Sequence, residues 1–162
     1  MFGEPQKEHG WLQQLVGDWT YTAECDGPPG QPDQKMKSSG TQTYSSLGGF
    51  WLVGEGEGEM PGGGPASTRL TIGYDPAKGH YVGSWVGSMM PMMWIYEGEL
   101  DAAGKVLTLK SVGPSFSGDG TMATYHDVVE VVDADTHIFH SRVQNPDGSM
   151  TEFMTAEYRR VK

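Results

Sequence analysis

A chain of 162 residues can bury a sizeable core, and one domain, 1–162, is the natural count. Its formal charge of −10 argues against a nucleic-acid partner, whose phosphates would be repelled, and against an anionic membrane surface. Hydrophobic residues reach only 36%, and the 24 glycines with scattered Thr, Val and Tyr favour strands and turns over a helical bundle.

The N-terminal segment 1–17 carries the helical pattern: Trp11, Leu12, Leu15 and Val16 fall at helical spacing, and Gly17 stands where a helix would stop. This segment lacks the basic and apolar regions of a signal peptide, and no window is long and apolar enough to span a bilayer. The single Cys25 forms no intrachain disulfide, so a cytoplasmic location is expected.

After the helix the chain reads as β. Strands are expected over 18–25, 39–46, 50–60, 67–74, 80–88, 92–100, 105–112, 122–132, 136–144 and 149–161, with a Pro/Gly loop at 26–32 and turns such as Asp75-Pro76-Ala77-Lys78-Gly79 between them. Such short connections leave no room for crossover helices. The expected fold is therefore all-β: an antiparallel up-and-down barrel of about ten strands with one short N-terminal helix. Within 54–59 glutamates alternate with glycines, so three carboxylates share the solvent face and the glycines point inward, leaving space for a bulky neighbour or a cavity.

Between two of the expected strands, Met89, Met90, Met92 and Met93 crowd around Pro91, flanked by Trp85 and Trp94. Proline favours a strand connection, and the soft thioether side chains suit a wall that meets ligands of varied shape. These methionines are read as a gate over one end of the barrel. Trp51, Trp85, Trp94 and Tyr96 are expected to line the cavity beneath it, with His140, Arg142 or Tyr96 orienting a ligand.

Gly17-Asp18-Trp19 after a short helix resembles the Gly-x-Trp signature of lipocalins and their calycin relatives. That resemblance implies that Trp19 closes one end of the barrel and that Arg159 or Arg160 of the last strand lies across it. A closer likeness runs along most of the chain. His9–Trp19 (9–19), 47–56, Gly73-Tyr74-Asp75-Pro76, Tyr96-Glu97-Gly98, 118–122 and 153–160 are similar to the bacterial family known as domain of unknown function 1579. The likeness implies a calycin-like barrel and brings no catalytic residues.

No catalytic or metal constellation stands out. His137 and His140, three apart on a strand, point to opposite faces, and His126 and Asp127 do the same. A single inward His140 could serve a haem, as in some related barrels, but no cofactor is expected. Cys25 has no activating neighbour in sequence, and no serine lies in a nucleophile motif. Glu97, Asp127 and Glu152 are candidates for the interior, where Arg142 or Arg69 would pair with one of them. The expected function is binding of a small apolar molecule inside the barrel. The alternatives are an isomerase or hydrolase for a hydrophobic substrate, or an interaction module whose methionines are covered in a homodimer.

Overall fold

The computed structural model describes residues 2–27 and 30–162. Among these, one helix, α1 (Lys7–Gln13), precedes ten strands: β1 (Gly17–Cys25), β2 (Met36–Leu47), β3 (Trp51–Glu59), β4 (Pro65–Asp75), β5 (His80–Gly87), β6 (Trp94–Leu100), β7 (Val106–Pro114), β8 (Met122–Asp133), β9 (Thr136–Gln144) and β10 (Met150–Arg160). Each strand pairs antiparallel with the next, and β10 returns to pair with β1, closing an up-and-down barrel. The expected architecture is therefore present. Strand ends shift by a few residues, and β6 starts at Trp94, so all four clustered methionines lie in the connection. Pro28 and Pro29 of the expected 26–32 loop lie outside the described residues.

Period-two alternation decides the faces. On β1, Trp19, Tyr21, Ala23 and Cys25 turn inward while Asp18, Thr20, Thr22 and Glu24 face solvent. The β2–β3 hairpin, with three residues between Leu47 and Trp51, turns through Gly48 and Gly49 at φ of 67° and 79°, left-handed values that glycine adopts without strain.

Helix α1 is shorter than the apolar spacing implies. Leu15 and Val16 follow it in a tightened turn, with their amides bonded three residues back to Leu12 and Gln13. His9 anchors the helix start. Its Nδ1 accepts from the Gln6 amide at 2.9 Å, so Nε2 carries the proton and donates to the Tyr74 carbonyl at 2.9 Å. The Tyr81 hydroxyl donates to the Glu8 carbonyl and the Trp11 indole to the Gly104 carbonyl, fixing α1 across the barrel end.

Leu12, Leu15, Trp19, Leu52, Ile72 and Leu107 form a sealed floor beneath the helix. Trp19 donates its indole N–H to the Leu15 carbonyl at 2.8 Å. The Arg160 guanidinium lies 4.3 Å from the Trp19 ring centroid and donates to the carbonyls of Val16, Gln14 and Ala134. Arg159, its neighbour, points out to solvent and pairs with Glu157.

Arg160→Ala removes the ring contact and three charged hydrogen bonds together. It should lower the unfolding free energy by about 2–3 kcal/mol in urea titrations, whereas Arg159→Ala should leave the midpoint where it is.

Candidate functional site

The two barrel ends differ. Connections after β1, β3, β5, β7 and β9 lie away from α1, because β1 starts at the helix-covered end with Trp19 and runs up to Cys25. Apart from Met1, every methionine of the chain belongs to this far end. Met36, Met122 and Met150 begin strands, Met60 follows β3, Met154 sits opposite Cys25, and the clustered four occupy the β5–β6 connection. Aromatic rings join them. Trp94 packs edge-on against Tyr125 with centroids 5.1 Å apart, and Phe116 bridges Tyr125 and Phe153. A register shift between Glu152 and Met154 makes Phe153 the extra residue of a bulge, the device that lets a strand re-aim a side chain.

Above the floor the inward side chains are less completely covered. Leu70, Trp85, Phe139, Met154 and Tyr158 all sit at inward positions, yet each keeps partial exposure. Leu70, Trp85, Phe139 and Tyr158 pack against the buried core from this side. Inward glycines shape the wall by making room for rings. Gly54 lies under Tyr44, Gly40 and Gly58 under Tyr21, and Gly113 under Trp94. A side chain at any of these would collide with the ring covering it.

At mid-depth the wall turns polar. Asp127 on β8 projects inward, its Oδ2 accepting from the Tyr96 hydroxyl at 2.5 Å and its Oδ1 from the Ser141 hydroxyl at 2.7 Å. Burial pushes the Asp127 carboxyl up, against the pull of those two donors. Tyr96 is raised well above the usual phenol range by burial and by the Asp127 charge, and burial also raises Tyr44 and Tyr158. These phenols are therefore neutral donors. Ser111, on the adjacent β7, is 3% exposed and its Oγ is buried without a partner.

His137 lies deeper, at 1% exposure, stacked on Tyr158 with centroids 4.6 Å apart and edge-on to Trp19 at 4.4 Å. Burial, with a smaller contribution from the Arg160 charge, depresses it to about 3, so it is neutral at physiological pH.

The structure brings together Trp85, Trp94 and Tyr96 on the inner wall, with Met89, Met90, Met92 and Met93 at the rim above. Met90 Sδ accepts from the Trp94 indole N–H at 3.1 Å, and Met89 packs over Gly87. Three expected interior residues are corrected. Trp51 alternates with buried Leu52, so its ring lies on the outer face over Gly73. His140 and Arg142 flank inward Ser141 and therefore face out, where His140 meets Glu130 and Glu152 and Arg142 pairs with Glu152. One residue of alternation accounts for all three. The same rule puts Glu97 and Glu152 outside and leaves Asp127 as the inward carboxylate of the three. Tyr44, Ser111, Ser141 and Tyr158 also reach the lumen. Their sequence signal was the alternation along β2, β7, β9 and β10, which carries no chemical motif.

Two surface concavities lie outside the barrel. One, of about 430 Å³, is a charged cleft around Asp135, Thr136 and Arg160. The other, of about 450 Å³, runs over β6 and β7 among Glu97, Glu99, Asp101 and Lys110. The first is lined chiefly by solvated charge, and the second sets Leu100 and Val106 among its charged residues. Among the described residues no group of three or more His, Cys, Asp or Glu is placed to hold a metal ion, and no helix is long and apolar enough to cross a membrane.

The profile of the family described as "Protein of unknown function (DUF1579)" matches residues 4–160. The chain belongs to that family. This DUF1579 barrel is similar to Rv2717c from M. tuberculosis, with a TM-score of 0.68 and 12% identity, covering 98% of this chain and 100% of that one. It is also similar to EF1p2_mFAP2b bound to DFHBI, with a TM-score of 0.50 and 10% identity, covering 95% and 99%. Identities this low establish likeness of fold alone. No curated protein matches the chain.

The buried imidazole gives the DUF1579 barrel a pH signature. The His137 pKa is near 3 in the fold and about 6.5 when unfolded, so the unfolded chain takes up the proton first on acidification. Stability is therefore intact above about pH 6.5 and falls as pH drops below it. Between pH 7 and pH 5 the wild type should lose about 2 kcal/mol more in urea unfolding than His137→Phe, which keeps an aromatic ring in the stack.

Proposed function

We propose that the lumen of this barrel holds a small, mainly apolar molecule, admitted past the methionine rim. The observation that carries this reading is the partial exposure of inward Leu70, Trp85, Phe139 and Tyr158 above a sealed floor. Packed interiors leave few voids larger than a water molecule, whereas concave apolar sites with a few convergent polar groups are the usual form of a ligand site. The rim suits passage. The β6–β7 ladder is confined to Glu97–Leu100 against Leu107–Lys110, so Trp94, Ile95 and Tyr96 at the upper end of β6 are held in the sheet by β5 alone. EF1p2_mFAP2b, bound to DFHBI, illustrates that a barrel of similar outline accommodates a small molecule.

A second reading is favoured by Asp127. A buried carboxylate with a raised pKa, bonded to a phenol and a hydroxyl, is also what a proton-transferring isomerase or hydrolase would present to an apolar substrate. Both its oxygens already accept a hydrogen bond, which places binding first.

The partner expected besides a ligand is a second copy of the chain. Met93, Ile95, Val112, Phe116 and Met122 are large apolar residues left exposed at the open end, on or beside β6, β7 and β8. A patch of that kind marks contact surfaces. The single cysteine suits a reducing cytoplasm.

Titration with the neutral apolar probe N-phenyl-1-naphthylamine tests the lumen. Its fluorescence should rise with the wild type, and Leu70→Trp, which fills the cavity beside Trp85, should weaken binding about tenfold with the melting temperature retained. Unchanged binding in that variant would place the probe elsewhere. Native mass spectrometry should show a dimer that Ile95→Glu converts to monomer.

A further inference from the structure

Asp127 is a lumen carboxylate with no cation to balance it. The residues expected to pair with it, Arg69 and Arg142, are on the outer face with Glu57 and Glu152. Among the described residues, no lysine or arginine projects into the lumen above the floor. Arg160 lies beneath Trp19 with its donors committed to backbone carbonyls, and His137 is neutral. Burying a carboxylate without an opposite charge is costly, and two hydroxyl donors offset only part of that cost.

What surrounds Asp127 fits one kind of compensating group. Each carboxylate oxygen accepts a single hydrogen bond and keeps a free lone pair. Diagonally across the β7–β8 ladder, where Asp127 stands opposite Leu109, Ser111 adds a buried oxygen that nothing engages. Tyr96 and Tyr158 lie close enough to feel the Asp127 charge, with Tyr44 beside both; Phe139 stands one inward step below Ser141 on β9, and Trp85 lines the wall towards the mouth. Ring faces attract positive charge, most strongly where water is excluded. An anionic amphiphile would instead place a second negative charge beside Asp127 with no cation to meet it. A neutral one would leave the carboxylate unbalanced. A protonated amine supplies the missing charge and N–H donors together, and the overall charge of −10 attracts it from solution.

Resting on the reading of the lumen as a ligand site, we propose that this barrel binds an organic ammonium, a protonated amine whose nitrogen sits against Asp127 and Ser111 among the tyrosine rings and whose apolar body extends to the methionine mouth. Asp127 then serves as the counter-ion that orients the ligand head down.

Calorimetric titration of the wild type at neutral pH with n-octylamine, n-octanol and octanoate separates the charge from the chain. The amine should bind about tenfold or more tightly than the alcohol, and octanoate weakest of the three. Asp127→Asn should erase the preference for the amine while leaving octanol binding in place, and Asp127→Glu should keep part of it. Octanol binding as tightly as the amine, or octanoate binding best, would overturn the ammonium assignment while the lumen reading stands. Failure of all three to bind overturns both. The wild-type order decides the matter even if the variants fold poorly.

Discussion

Pairing of β1 with β10 is the contact on which the rest depends. Eight strands closed on themselves make an interior that side chains just fill, and ten make a wider one. This chain meets the larger cross-section in two ways. At the helix end it stacks large residues, Trp19, Tyr81 and the leucines, under α1 until nothing is exposed. At the other end it lets rings lie against inward glycines, which sets aromatic bulk along the wall. The polarity of the barrel, floor below and mouth above, follows from where the helix is pinned.

That pinning explains the roles of two chemically similar neighbours. Arg160 faces inward at the end of β10 and is drawn over Trp19 by the ring and by three carbonyls, whereas Arg159 points to solvent beside Glu157. His137 shows the same positional logic. An imidazole between Tyr158 and Trp19 is an aromatic packing element, while His140, on the opposite face of the same strand, is held between glutamates. Composition cannot tell these pairs apart. Only the alternation of a strand does.

The same point separates what the sequence revealed from what it concealed. Ten strands and their order were readable because turn residues punctuate them and because short connections permit only antiparallel neighbours. The glutamate–glycine run of β3 could be assigned to its faces, since three carboxylates cannot share an interior. Trp51, His140 and Arg142 could not, because an aromatic, a histidine or an arginine is credible on either side of a barrel wall and one step of register reverses it. The helix was overextended because Leu15 and Val16 continue an apolar spacing after the backbone has tightened into a turn. Asp127 was visible only as one of three carboxylates. Its significance depends on two hydroxyls, from β6 and β9, and no local pattern announces a contact between residues so far apart.

The seam between the first and last strands also bears on how the chain is made. Trp19 opposes Arg160, so the edge of β1 stays unsatisfied until almost the entire barrel has left the ribosome. Hairpins such as β2–β3 can form early and locally, but the ring is completed by its most distant partners, an entropically late step in a topology of neighbour pairings. Until then the nascent sheet carries two open borders, the sites at which a chaperone or an unwanted second sheet would attach.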